Sequence, residues 1–541
     1  MDSNRFAITI LQHRFLGGPN AWTYRSAMEV WLDLGPLEER PSNTIDGLTD
    51  RLLAWLPGLE AHHCGVGEHG GFIQRLREGT WAGHVMEHCI IELLNRAGMP
   101  TGFGQTRSTS RTGVYRMVFR ARNQPTAEAA LQHGHALLEA AINNEPFDVP
   151  AAVEALRAVV DDTWLGPSTA AIVQAATDRR IPHLRLNDGN LVQIGHGASQ
   201  RRIWTAESDL TSAIAENIAC DKDLTKSLLM ACGVPVPEGR VVANAAEAWE
   251  AAEDIGLPVV VKPSDANHGR GVSLELTERA DIEKAFAIAD AEGSDVIVEK
   301  FISGNEHRLL VVGGRVVAAN RGESLWVTGD GRSTVRTLVD QQLNSDPRRG
   351  DAEEFPLETI VLDREPAMCL LLQRQGLGPD AVPADGQRVL VQRNGNMAFD
   401  CTDEVHPEVA YMAGLATRAV GLDIAGIDMV TTDIGQPLHA VGGAIVEVNA
   451  GPGLLMHLKP AIGQPRPVGE AIVRQLFPSD DPMAGRIPLV GVAGETGSTL
   501  LARATAHLLG LGLGPAPTGL ACREGIYLGR RRLEPVEATG Y

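Results

Sequence analysis

Ile445-Val-Glu-Val-Asn-Ala-Gly-Pro-Gly453 is the stretch whose reading decides the fold. Its first five residues read as a β-strand, and the Gly/Pro-rich end marks a turn. Side chains alternate along a strand, so Glu447 and Asn449 share a face. Asp428, in Ile424-Ala-Gly-Ile-Asp-Met-Val430, lies on a second apolar segment fit to run alongside. Two carboxylates and an amide oxygen on one surface, with no His or Cys, suit a hard cation. Mg²⁺ takes oxygen ligands, keeps waters and completes its shell with nucleotide phosphates. An exposed polar strand face fits the same residues, so the rest of the chain must decide.

The 541 residues are enough for roughly three or four domains. Apolar residues make up 44% and charged residues 21%, the balance of a globular protein. Aromatics are only 4%, which leaves little for stacking on bases. A net charge of −20 repels phosphates at long range and argues against nucleic-acid or anionic-membrane partners. The seven cysteines form no Cys-x-x-Cys pair and no disulfide-framework spacing, as expected of free thiols in a reducing cytosol. Met1–Arg14 is too charged for a signal peptide. No stretch reaches the roughly 18 apolar residues of a membrane span.

Residues 1–165 alternate short apolar and helical segments and form the first expected domain. Its clearest helix runs from about Thr80 to Ala97, stops at Gly98, and carries His84-Val-Met-Glu-His88. His84 and His88 are four apart and share a helix face, with Glu87 beside them. Two imidazoles so placed chelate Zn²⁺, with the Glu as base for an attacking water, in the inverted zinc-peptidase order. Glu92, Glu128 and Glu139 stay open as the third ligand. His62-His63-Cys64 and Gly102–Ser108 read as loops, with Arg107 and Arg111 available to an acidic ligand.

Residues 166–480 form the second expected domain, beginning with mixed segments and a basic loop at 193–202. Cys220–Lys226 opens a helix that Gly233-Val-Pro-Val-Pro237 ends. The strand Leu257–Lys262 then leads into Asp265-Ala-Asn-His-Gly-Arg-Gly-Val272. A glycine turn between strands lets backbone N–H groups close on phosphates, and Lys262 adds a point charge. Val296–Ile302 is an apolar strand. Gly313-Gly314 makes a two-residue hairpin turn after Glu306-His-Arg308. Ser333 or Thr334 offers a helix N-cap. Residues 340–400 are polar, proline-rich and show no clear period, and a helix at 407–421 leads back to Asp428.

The order Lys222, Lys262, glycine loop 268–271, Glu299-Lys300-Phe301, Arg308, Asp428, Glu447-x-Asn449 resembles the ATP-grasp carboxylate–amine ligases. Lys262–Gly271, Leu422–Asp428 and Leu165–Ile172 narrow the resemblance to the cyanophycin synthetase family, over almost the whole chain. The family implies an α/β fold: a small α/β N-terminal domain, a central ATP-grasp fold, and a Mur-ligase-like P-loop part. It implies that Lys222 and Lys262 contact ATP phosphates, with His268, Gly269, Arg270 and Gly271 covering them. Glu299, Lys300, Phe301 and Glu306 fall in the nucleotide site, the backbone of the first three near adenine. Arg308, with His268, would serve the transferred phosphoryl, and Asp428, Glu447 and Asn449 would hold Mg²⁺. The implied reaction turns a chain's terminal carboxylate into an acyl phosphate that an amine attacks. Aspartate or a β-aspartyl-arginine dipeptide is the implied acceptor, and cyanophycin polymer or primer the chain. A cytoplasmic homo-oligomer is implied, and some members trim polymer through an N-terminal site like that at His84, Glu87 and His88.

Three departures stand out. Gly494-Glu-Thr-Gly-Ser-Thr499 aligns with the family's phosphate loop, but Ser498 replaces its lysine and Glu495 adds negative charge. Only 42 residues follow Thr499, so 485–541 is expected to be a truncated, degenerate domain with no second ATP site. Asn394–Asp400 stands where the family has a glycine-rich Ser-Thr-Gly-Gly segment, and Leu455 stands for an arginine. These last two changes bear on acceptor recognition. They motivate the alternative of a non-catalytic or regulatory polymer-binding partner of a full-length synthetase.

Overall fold

Apolar side chains alternate with others along Ala27–Asp33, and Met28, Val30 and Leu32 are fully buried. This strand (β2) pairs with Thr9–Leu16 (β1) and, across Gly104–Ser108 (β3) and Val114–Arg120 (β4), completes an antiparallel sheet in the order β1-β2-β4-β3. Helices Ala82–Arg96 (α1), Gln124–Asn143 (α2) and Val149–Thr163 (α3) share its core. Asn123 and Asp148 cap α2 and α3 by accepting from the N–H groups of Thr126 and Ala151, at 2.9 and 3.0 Å. Strand β3 occupies most of the stretch read as the loop 102–108. It is an edge strand without a fully buried residue, so its sequence shows no apolar alternation.

The computed structural model describes residues 5–18, 20–64, 67–264, 271–293, 295–350, 355, 357–364, 366–393, 397–481, 483–512, 518–535 and 537–538. The chain forms two compact units, Met1–Gly485 and Arg486–Tyr541. In the first, Pro167–Asp178 (α4) precedes a small antiparallel sheet of His183–Arg185 (β5), Leu191–Ile194 (β6), Arg201–Trp204 (β7) and Glu207–Ser208 (β8). The basic loop read at 193–202 is largely the β6–β7 connection, with Gln193 paired to Arg202.

Lys222–Ala231 (α5) starts where Asp221 accepts from the Leu224 N–H at 3.0 Å. Gly239–Val242 (β9), Val259–Pro263 (β10), Ser273–Leu276 (β11) and Val296–Lys300 (β12) form an antiparallel sheet, β11-β10-β12-β9. Ala245–Ile255 (α6) and Arg279–Asp290 (α7) cover one face of it, packing Ala248, Ala252, Ile282 and Ala285 with Val259, Val261 and Val298.

Asn305–Val312 (β13) and Arg315–Gly322 (β14) form the expected hairpin, and Gly313 and Gly314 both take positive φ at its turn. An insertion follows with Leu325–Thr328 (β15), Arg349–Gly350 (β16), Leu357–Glu358 (β17), Pro366–Arg374 (α8) and Arg388–Gln392 (β18) around its own core. Its strands span five residues or fewer, too short to leave a period in the sequence. Thr334 is the N-cap of its first helix. Met397–Asp400 (β19), Ile424–Thr431 (β20) and Ala444–Ala450 (β21) then join the hairpin in a five-stranded antiparallel sheet, β19-β14-β13-β20-β21.

This sheet is buried on both faces. Leu309 and Val311 of β13 pack with Pro407–Val420 (α9), while Leu310 and Val312 pack with α4 and Val468–Leu476 (α10). The second unit contains Ser498–Gly512 (α11) and an antiparallel sheet of Gly519–Cys522 (β22), Gly525–Leu528 (β23) and Arg531–Glu534 (β24). Ser498 is the first residue of α11.

Because Leu309 is fully buried in the central strand, Leu309→Ala is expected to cost about 2–5 kcal/mol in denaturant unfolding. Tyr411→Ala, 59% exposed on α9, should change stability by less than about 0.5 kcal/mol.

Candidate functional site

Five residues lie in register across the large sheet, one per strand: Asp400, Asn320, Arg308, Asp428 and Glu447. Cross-strand partners point to the same face, and at about 4.8 Å per strand the row spans about 19 Å. The same face of β13 carries Leu310 and Val312 toward its far end, so it changes from apolar to charged at Arg308. Arg308 forks onto Asp428, with Nε on Oδ1 and Nη2 2.7 Å from Oδ2. Asn449 Nδ2 donates to the same Oδ2 at 3.1 Å. Lys222 Nζ lies 3.2 Å from Glu447 Oε1. The facing β9–β12 sheet contributes Lys262 on β10, whose Nζ is 2.9 Å from Glu299 Oε2 on β12. Lys226, one turn after Lys222 on α5, contacts the other oxygen of Glu299.

These groups shift one another strongly. Burial raises Glu306 to about 7, helped by Asp428 and Glu447 and opposed by Arg308 and Lys262. Burial also raises Asp428, against the pull of Arg308. Burial works upward on Glu447 too, but Lys222 and Lys262 outweigh it and hold the carboxyl low. Burial lowers Lys226 to about 6 and Lys262 to about 8, and the neighbouring lysines add repulsion. The site thus crowds acids and bases that charge each other only in pairs.

At the far end of the row, Arg466 Nη2 reaches Asp400 at 2.6 Å and Asp403 at 2.7 Å. His457 Nδ1 lies 3.2 Å from Asn320 Oδ1, and Asn320 Nδ2 donates to the Met456 carbonyl at 2.7 Å. A cleft of about 710 Å³ opens between α5 and the β9–β12 sheet, lined by Asn217, Lys222, Val241, Ser264 and Ile297. Lys300 Nζ donates to the Gly256 carbonyl at 2.6 Å, and the Phe301 N–H donates to Pro258 at 3.1 Å.

Lys222, Lys262, Glu299, Arg308, Asp428, Glu447 and Asn449 are therefore brought together, with the half-buried Glu306 beside them. Gly271 has positive φ; His268, Gly269 and Arg270 lie outside the described residues. The oxygen-only donors Asp428, Glu447 and Asn449, on adjacent strands, fit a hard divalent cation. Lys226 is the residue the sequence reading passed over. Its spacing of four from Lys222 on a helix was the available signal.

A second cluster sits in the N-terminal part. Ligand atoms of Cys64, His84 and His88 lie within 4.8 Å of one another. Cys64 Sγ is 3.3 Å from His84 Nε2, and Thr80 Oγ1 is 2.8 Å from His84 Nδ1. Burial lowers His84 to about 4 and His88 to about 2, which keeps both rings neutral as metal ligands must be. Glu92 lies 3.3 Å from His62, whose Nδ1 is 2.8 Å from His88 Nδ1. Glu128 pairs with His13 at 4.0 Å, and Glu139 accepts from the Ile8 N–H at 2.8 Å. Of the three carboxylates left open, only Glu92 therefore belongs to this cluster, one histidine removed. Burial raises Glu87 to about 7, and Thr106 Oγ1 donates to it at 2.6 Å.

Comparison with known families fits this geometry. Residues 29–143 match the cyanophycin synthase-like N-terminal domain, and 221–333 match the carbamoyl-phosphate synthase L chain ATP-binding domain. The chain is 39% identical to the cyanophycin synthetase of Nostoc sp. (strain PCC 7120), over 98% of this chain and 59% of that protein. The cyanophycin synthetase of Geminocystis herdmanii is also 39% identical, over 98% of this chain and 61% of its own length. The glutathione biosynthesis bifunctional protein of Clostridium perfringens is 33% identical over 56% of this chain and 38% of that protein. The chain spans about three fifths of the length of the cyanophycin synthetases it matches.

The row also sets a pH dependence. Burial pushes the His457 pKa down to about 3, with Arg308 adding repulsion and Asp400 opposing it. The unfolded chain takes the proton near the ordinary pKa of about 6.5, so it binds protons that the folded state refuses. Stability is full above that value and falls as the pH drops toward 3. Thermal melting of unit 1 should decline from pH 6.5 to 4, and His457→Asn should flatten the decline.

Proposed function

We propose that the protein is an ATP-dependent, peptide-bond-forming ligase of cyanophycin (multi-L-arginyl-poly-L-aspartate) synthesis, working through one ATP site in the central region. The observation that carries this reading is the convergence of Lys222, Lys262, Arg308, Asp428, Glu447 and Asn449 on one face between two sheets. The likeness to cyanophycin synthetases supports it. ATP and Mg²⁺ are the proposed cosubstrate and cofactor, and the ion would shield charge on the phosphates. The proposal includes the division into 1–165, 166–480 and 485–541, with homo-oligomers in the cytoplasm.

Each ion pair has a part in the chemistry. Lys222 and Lys262 would turn to the triphosphate, leaving Glu447 to hold the cation. Arg308, held on Asp428 by two bonds, would meet the γ-phosphoryl group during transfer. An oxygen of the primer's terminal carboxylate attacks the γ-phosphorus, and the bond to ADP breaks. The amine of aspartate or of a β-aspartyl-arginine dipeptide then attacks the acyl carbon, phosphate departs, and the nitrogen loses a proton. Both steps call for positioning and charge neutralisation. Ser498 and Glu495 supply no cation for a second nucleotide, which favours the preassembled dipeptide as acceptor.

With ATP, Mg²⁺, primer and dipeptide the protein should release ADP and phosphate. Lys262→Ala should lower that rate by about 10²–10³-fold. No release with either dipeptide or aspartate would instead favour the non-catalytic partner, for which the Leu455 position gives the motive.

A second reading rests on Cys64, His84 and His88. These residues would hold Zn²⁺ for polymer trimming, with Glu87 as base. The purified chain should carry about one zinc by elemental analysis, and Cys64→Ser with His84→Ala should lose it. A metal-free wild type, or unchanged primer formation in Glu87→Ala, would remove this reading.

A further inference from the structure

Glu299 is 3% exposed and lies between two lysines, one on each oxygen. Lys262 comes along its own sheet, and Lys226 reaches across from α5. A lysine held by a buried carboxylate is not free to meet a phosphate. Withdrawing it is costly when the carboxylate would be left buried without a partner. Lys226 removes that obstacle, because it occupies the oxygen that Lys262 does not. We propose that Lys226 is a positioning residue for the nucleotide, holding Glu299 so that Lys262 can be handed over to the phosphates. The inference rests on the ATP-site reading above.

Two features support it. Lys226 and Lys222 lie one helical turn apart on α5, so one rigid element sets both cations. Lys222 is taken by Glu447 rather than by Glu299, which leaves Lys226 as the α5 partner of Glu299.

The test is calorimetric binding of a non-hydrolysable ATP analogue with Mg²⁺ to the full chain. Lys226→Met should weaken binding by about tenfold or more, because Glu299 then keeps Lys262 for itself. Lys226→Arg should bind within a few-fold of wild type. Adding Glu299→Gln to Lys226→Met removes the competing charge, and the double variant should bind more tightly than Lys226→Met alone. If the double variant binds no better than the single one, Lys226 acts on the nucleotide directly or on folding, and the positioning role is overturned. Wild-type binding with unchanged affinity in Lys226→Met overturns it as well. If wild type itself binds no analogue, the ATP-site reading falls and takes this role with it.

Discussion

The structure depends on keeping the Arg308–Asp428 pair neutral inside a sheet that is packed on both faces. A buried charge without a partner is far costlier than a buried pair. Asp428 is 2% exposed, and Arg308 sits opposite it in the strand register, so neutralisation is built into the strand pairing. The pair lies at the centre of the five-residue row, and every other charge of the site is arranged outward from it. Slipping β13 by one residue would put Leu309 in the row and Arg308 into the apolar core beneath α9. Packing and chemistry therefore enforce the same register.

The two sheets divide the work. The five-stranded sheet, braced by α9 on one side and by α4 and α10 on the other, holds Arg308, Asp428, Glu447 and Asn449 rigidly. The smaller sheet rests on α6 and α7 and presents Lys262 and Glu299 from the opposite direction. Helix α5 spans the gap, with Lys222 bonded to the first sheet and Lys226 to the second. The site is closed by ion pairs whose members are the groups a charged ligand would recruit.

Much of this was legible in the sequence. Strand alternation placed Glu447 and Asn449 together, and β20 does run beside β21 with Asp428 opposite Glu447. The hairpin at Gly313-Gly314 and the helix before Asp428 also followed from local chemistry. Other features left weaker marks. Strand β3 is a polar edge, and the insertion's strands are too short to show a period. Asn320 and Asp400 join the row only through long-range pairing, which no local pattern encodes. Cys64 meets His84 and His88 because a loop folds back onto α1, a contact between residues 20 apart in sequence. Lys226 was visible as a lysine at helical spacing, but its partner Glu299 lies on another sheet.

On this reading one charged face between two sheets receives a metal–triphosphate by trading its ion pairs. A crystal structure with Mg²⁺ and a non-hydrolysable ATP analogue tests it most directly. The predicted result is a cation bound by Asp428, Glu447 and Asn449, with Lys222 and Lys262 on the phosphates and the Lys222–Glu447 bond broken. A nucleotide bound elsewhere, with the Lys222–Glu447 and Lys262–Glu299 pairs intact, would contradict it.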